Sequence, residues 1–273
     1  MKTIKVAVGL LALCAASAMA QNVKITPLGS HAGELRDRDR ATIFEDPTGV
    51  RILYDAGQTV MGANDPRLGN IHAVLLSHAH GDHDGGARFI QDIFKNARMV
   101  YGAPDWDAVE KSTNRPGGKP RRDLDGTDGM KMSIGDTSVQ IVTMPGHTAG
   151  TLSYLFEIKD HGRPLQVAYV GGTAIPFDGD AAYYDQYISS SQKMAQAAAA
   201  FGATVLLSNH TEFDNGYYKA HTAANRKGAD VANPFEVGAA GVARYFSVVE
   251  NCAAAAVRSG RGWRPSKIGR AHV

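Results

Sequence analysis

Apolar residues fall along the chain in short blocks separated by polar or Gly-rich breaks. Val23 to Leu28, Ala41 to Glu45 and Val50 to Tyr54 read as short strands with Gly-rich or charged turns between them. His72 to Ser77 is a compact apolar strand. Within Gly85 to Lys95, Phe89, Ile90, Ile93 and Phe94 then recur at helical spacing. Arg98 to Tyr101 is another strand candidate, followed by a short helix that Pro104 can start. Ser112 to Gly129 is rich in Gly, Pro and charge and predicts a surface loop dividing two similar halves. Beyond it, Thr137 to Met144, Leu152 to Ile158, Leu165 to Val170 and Thr204 to Ser208 predict strands. Tyr183 to Ala200 and Phe235 to Val257 predict helices, the first rich in alanine. Strands mixed with helices in both halves predict an α+β fold, two β-sheets packed face to face with helices outside.

The two ends change the boundaries of that fold. Met1 to Ala20 has Lys2 and Lys5, an apolar stretch from Val6 to Ala16, and a small-x-small site at Ala18-Met19-Ala20. That is the pattern of a secretory signal peptide, with a retained N-terminal anchor as the alternative. Leu13 stands directly before Cys14, where lipidation requires a small residue, which disfavours a lipoprotein. Lys267 to Val273 matches the translation of a common sequencing-library adapter, so these seven residues are expected to be an assembly artefact. The other reading is an ordinary tail over residues 258–273. On either reading His272 is not a ligand. The expected mature domain is then 21–257.

Composition is that of an ordinary globular chain: 273 residues, 44% hydrophobic and 21% charged. The 29 basic and 27 acidic residues become 27 against 27 once Lys2 and Lys5 leave with the signal, so nothing points to nucleic acid. Cys252 is then the sole cysteine, so no internal disulfide can form and the core must supply stability. Export places the mature chain in the periplasm or outside the cell, off the membrane. Nothing in the sequence fixes its oligomeric state.

Chemistry concentrates at Ser77-His78-Ala79-His80-Gly81-Asp82-His83, directly after an apolar strand. A strand end can aim His78 and His80 the same way, and a turn at Gly81 lets Asp82 and His83 face a second point. As packing residues, these four would each need a separate buried partner. Imidazole nitrogen and carboxylate oxygen are donors that zinc accepts, and the uneven split leaves room for two metals.

The H-x-H-x-D-H run resembles the hallmark of the metallo-β-lactamase superfamily, and three further segments agree in order. Ile52 to Gly57 resembles the strand ending in Asp-x-Gly, in which Asp55 supports the ligand loop. Pro145-Gly146-His147-Thr148-Ala149-Gly150 resembles the loop of the third histidine, and Ser208-Asn209-His210 the strand end of the last. The resemblance runs from about Val23 to Val257. It implies the four-layer αβ/βα sandwich and two zinc ions, one on His78, His80 and His147, the other on Asp82, His83 and His210. His31, His72, His161 and His221 fall outside these motifs and read as surface or structural, although His31 and His221 could lie near the site.

Many members carry an aspartate that bridges both metals, and here Gly172 occupies that place in Val170-Gly171-Gly172-Thr173. This departs from glyoxalase II and ribonuclease Z, and it makes the second metal less secure. The remaining set is that of the third subclass of class B β-lactamases, with which Gly102-Ala103-Pro104-Asp105-Trp106 is also compatible. Leu28-Gly29-Ser30 and the charged stretch Glu34 to Arg40 look more like the general hydrolases.

The resemblance thus implies a secreted hydrolase in which a metal-held water attacks a carbonyl carbon of a small molecule. Asp82 orients that water as the catalytic residue, while Asp55 and Thr148 fix ligand orientation. Val60 to Arg67 and Thr211 to Tyr218 are candidate groove walls, with Tyr217 and Tyr218 as substrate contacts. The substrate is expected to be a β-lactam-type cyclic amide. A lactone, ester or thioester is the alternative, and a degenerate zinc-binding scaffold the non-enzymatic one.

Overall fold

The computed structural model describes residues 23–28, 40–61, 66–115, 117–175 and 179–258. The expected signal peptide, His31 and the suspected adapter segment lie outside them. Eleven strands form two sheets among the described residues. In the first sheet, β1 (Lys24–Pro27), β2 (Thr42–Glu45) and β3 (Arg51–Tyr54) run antiparallel. Then β4 (Ala73–Leu75), β5 (Arg98–Gly102) and β6 (Leu124–Gly126) join in parallel. In the second sheet, β7 (Lys131–Ile134), β8 (Thr137–Thr143), β9 (Leu152–Asp160) and β10 (Arg163–Val170) form an antiparallel meander. Parallel to β10 lies β11 (Val205–Ser208).

Alternation along the strands explains the layering. Ile52 and Tyr54 of β3 face the other sheet, whereas Leu53 between them faces outward under helices. Leu152, Tyr154 and Phe156 of β9 meet them across the sandwich, and Leu155 turns to the opposite side. Outside the first sheet, α2 (Ala87–Ile93) and α3 (Ala103–Lys111) bury Ile90, Trp106 and Val109 against Leu53, Val74 and Leu76. Outside the second, α4 (Ala181–Phe201) and α7 (Gly238–Arg258) bury Met194, Ala198 and Phe246 against Val142, Leu155 and Leu206. The four-layer αβ/βα sandwich is therefore formed. Asp180 caps α4 by accepting from Tyr183 N, and Gly202, at φ 76°, ends it in the left-handed conformation. No helix among the described residues is long and apolar enough to cross a membrane.

Three sequence expectations need correction. The segment Ser112 to Gly129 is not all loop, because Leu124–Gly126 pairs with β5 as the edge of the first sheet. An edge strand of three residues with Asp125 at its centre leaves almost no apolar pattern to read. Thr211 to Tyr218, a candidate groove wall for which no regular element was expected, is mostly helical, divided between α5 (Thr211–Asp214) and α6 (Gly216–Ala224). The cluster does not turn on a special glycine conformation either. Gly81 opens a single helical turn, α1 (Gly81–Asp84), and a Cβ there would meet nothing within 4 Å.

Candidate metal centre

The parallel strand β4 ends at Leu75, and the chain after it carries the first four donors. His78 and His80 lie in the connection to α1, while Asp82 and His83 lie on α1 itself. His147 comes from the connection between β8 and β9, and His210 stands directly before α5, after β11. Each sheet therefore contributes to both trios.

The donor atoms of His78, His80 and His147 lie within 4.8 Å of one another, as do those of Asp82, His83 and His210. His147 Nε2 is 3.1 Å from His78 Nε2 and 3.1 Å from His80 Nδ1. Two nitrogens bound to one zinc at about 2.05 Å and a tetrahedral angle stand about 3.3 Å apart, so this spacing fits a single ion. In the second trio, His83 Nε2 is 3.0 Å from His210 Nε2 and 3.2 Å from Asp82 Oδ2. His78 and His83 are buried, whereas His80 is exposed and Asp82 half-buried, so the centre opens to solvent on one side.

Hydrogen bonds fix which nitrogen faces inward. A carbonyl oxygen only accepts, so His78 donates from Nδ1 to Gly171 O at 3.0 Å and His147 donates from Nδ1 to Ala174 O at 2.7 Å. Both rings then present a bare Nε2 to the centre. His83 Nδ1 donates to Asp55 Oδ2 at 2.6 Å, which turns its Nε2 toward the centre. Asp55 also accepts from Ser77 N and Ser77 Oγ, and it sits at φ 58°, a left-handed conformation uncommon for a residue with a side chain. Asp55 thus bonds the end of β3 to Ser77 and His83.

Electrostatics suit cation ligands. Burial, followed by the neighbouring imidazoles, pushes His78 well below its ordinary value. Burial and His80 push His147 down to about 4. Burial with His83 and Arg40 takes His210 down to about 3. These three rings are therefore neutral, as ligation requires. Burial opposes protonation of His83 as well, but the Asp55 carboxylate overrides it, and His83 is raised to about 9. Burial works against the ionised form of Asp82, but hydrogen bonding and charge from His83 hold its carboxyl well below the usual range.

Two further residues shape the site and carry no motif of their own. Asp105, buried on α3, accepts from Ala79 N at 2.8 Å, Gly150 N at 2.9 Å and Thr148 Oγ1 at 2.8 Å. It clamps the His78–His80 segment to the His147 loop, with Thr148 as one of its donors. Arg40, 4% exposed, donates to His210 Nδ1 from Nε at 3.0 Å and from Nη2 at 2.8 Å, and it pairs with Glu212 at 2.7 Å. Nearby, Asp84 accepts from Tyr101 and Arg115, and Arg115 also donates to Ala79 O. Only Gly102 to Trp106, noted for its Trp, hinted at Asp105.

The other expectations sort as follows. His72 is structural, accepting from Arg51 N through Nδ1, and His161 sits in the left-handed turn between β9 and β10. Tyr217 packs its ring on His221 at 4.7 Å and on Tyr218 at 5.5 Å, and Tyr218 is 62% exposed. Phe213, which was not anticipated, brings its ring within 5.8 Å of His210. A Cβ at Gly172 would stand 2.8 Å from Thr151 Cγ2 and 3.1 Å from His147 Cβ, so a side chain there would crowd both. Tyr187 Oη donates to the carbonyls of Gly172 and Thr173, holding that turn from α4.

Known proteins resemble much of this chain. Residues 50–210, more than half of it, match the family described as the beta-lactamase superfamily domain. A hydroxyacylglutathione hydrolase of Shewanella baltica is 32% identical over 193 residues, 69% of this chain and 60% of that protein. A lactamase-like protein of Emericella nidulans is 30% identical over 140 residues, 49% of this chain and 41% of its own length. The matched region thus spans less than two thirds of these relatives. Among solved structures, the FEZ-1 metallo-beta-lactamase of Legionella gormanii superposes with a TM-score of 0.68 at 18% identity, covering 87% of this chain and 94% of that one. The subclass B3 enzyme BJP-1 of Bradyrhizobium japonicum gives 0.64 at 20% identity, covering 80% and 87%. At such identities these two speak for the fold.

Proposed function

This chain belongs to the metallo-β-lactamase superfamily of metal-dependent hydrolases, and from that premise we propose that it is a two-zinc hydrolase of β-lactam-type cyclic amides. The observation that carries this reading is the pair of converging donor trios with no carboxylate between them among the described residues. Gly172 stands at the bridging place, and Thr151 and His147 fill the space that its side chain would need. Zinc held by the two trios would supply Lewis acidity toward a carbonyl oxygen and toward a water molecule.

The chain's own groups prepare that chemistry. The carbonyls of Gly171 and Ala174 keep a proton on Nδ1 of His78 and His147, leaving Nε2 bare. Asp55 holds the Nδ1 hydrogen of His83, and a cation at the second trio would take the place of the proton on its Nε2. Asp82, ionised and on the open side, would orient the attacking water. Leader residues Met1 to Ala20 support export, with a mature terminus at Gln21.

A second reading is favoured by one observation, the 32% identity to a hydroxyacylglutathione hydrolase, and takes a thioester as substrate. A panel of penicillins, carbapenems, lactones and thioesters, each with and without chelator, separates the two. Chelator-sensitive opening of a β-lactam is expected. Turnover of thioesters alone would replace the first reading with the second.

A further inference from the structure

One buried amide touches the supports of both donor trios. Asn209 follows β11, directly precedes His210 and is 3% exposed. Its Nδ2 donates to Gly171 O at 2.6 Å and to Ser77 Oγ at 3.1 Å. The carbonyl only accepts, so the amide nitrogen, not the amide oxygen, must face it. Both partners lead on to a ligand of the centre. Gly171 O also accepts from Nδ1 of His78, in the first trio. Ser77 Oγ donates to Asp55 Oδ2, the atom that holds His83 of the second trio.

The backbone around the amide comes unusually close together. Gly171 follows β10 of the second sheet, and Ser77 follows β4 of the first. Leu152 N donates to Ser77 O at 2.8 Å across the same gap. A Cβ on Gly171 would overlap the Leu152 carbonyl and stand 3.1 Å from Ser77 Cβ. Glycine therefore lets the two sheets meet, and Asn209 ties them at that point. The Asn209 N–H donates to Val170 O at 3.0 Å, which fixes the residue at the sheet end. Its Oδ1 is buried and has no partner among the described residues. An unmet buried acceptor costs stability, so packing alone would be better served by an apolar side chain. What the amide adds over such a side chain is its two donations.

We propose that Asn209 is a positioning residue for both metal positions at once. Through its bond to Gly171 O it fixes the carbonyl that orients His78. Through Ser77 it steadies the carboxylate that orients His83. It also sets the start of the chain that carries His210. Its loss should loosen both trios together, although it belongs to neither. This inference rests on the two-metal reading above.

The test uses the full chain, stripped by chelator and titrated with Zn²⁺ against a chromophoric competitor. Co²⁺ loading is followed by visible absorption, and melting in chelator reports folding. Two binding events are expected for the unaltered protein. Asn209→Leu keeps the bulk and removes both donations, so it should weaken both events by about 10–100-fold. Its Co²⁺ bands at saturation should also shift or broaden. Thr48→Ala takes a hydrogen bond from the β2–β3 turn, at the opposite end of β3 from Asp55. That control should leave both events within about twofold and the bands unchanged. If Asn209→Leu does not fold, Asn209→Ala is read against the same control. Binding in the Asn209 variant no weaker than in Thr48→Ala, or weakened in one event only, would overturn the proposal. Absence of any binding by the unaltered protein would overturn the two-metal reading itself, and this inference with it.

Discussion

Asp55 Oδ2 lies 2.6 Å from His83 Nδ1, with side-chain exposures of 1% and 0%. The same carboxylate takes the N–H and hydroxyl of Ser77, so the end of β3 is bonded to the beginning of the ligand segment after β4. Those two strands are parallel neighbours, which puts Asp55 directly under the histidines.

Asp55→Asn should therefore damage both stability and the metal centre. Losing the charge strands a buried imidazole, and breaking such pairs costs about 3–5 kcal/mol. Urea unfolding should report that loss. Chelator competition should show metal affinity lowered by about 10–100-fold.

The same pair predicts a pH dependence in the metal-free protein. His83 is raised from 6.5 to about 9, so the folded state binds its proton more tightly than the unfolded state. The stability this contributes is fully present below pH 6.5 and is lost as pH rises through about 9. It amounts to about 3 kcal/mol at most. Unfolding curves of chelator-treated protein across that window should show the decline, and Asp55→Asn should flatten it. A decline of equal size in the variant would remove His83 as the cause.

Asp105→Asn tests the clamp between the two ligand loops. All three donors on Asp105 point at oxygens, so an amide NH2 would meet a donor head-on. One or two lost hydrogen bonds to a buried charged group should cost about 1–3 kcal/mol each. Affinity at the His78–His80–His147 position should fall with it, measured as Zn²⁺ bound against a competing chelator.

Replacing both His78 and His80 with alanine removes two of the three donors of the first trio. Metal content should drop and hydrolysis should vanish, while circular dichroism stays that of the folded protein. Hydrolysis surviving in that variant would place the chemistry elsewhere.

Much of this was legible in the sequence, for a physical reason. His78, His80, Asp82 and His83 are local in the chain, and the strands before them carry clean apolar patterns. Asp105, Arg40 and Arg115 act across 26 to 170 residues of separation, and no spacing rule reaches them. Each also sits among other charges or turn residues that resemble a solvated surface. Arg40 ends the charged stretch begun at Glu34, and Asp105 shares its helix with Asp107 and Glu110. The edge strands β6 and β7 were missed because they are short and half-exposed. The helices at Thr211 and Gly216 were missed because Asn215 and Gly216 read as loop.

Each donor trio draws two side chains from the end of the first sheet and one from the second. Histidines that meet at 3.1 Å are separated by 67 and 69 residues, and those at 3.0 Å by 127. Neither trio can exist before both sheets have formed and closed on each other. A metal ion held by a complete trio therefore joins two sheets that have already paired. It arrives late, as a latch on an assembled sandwich, and the cell must keep the empty fold intact until it does.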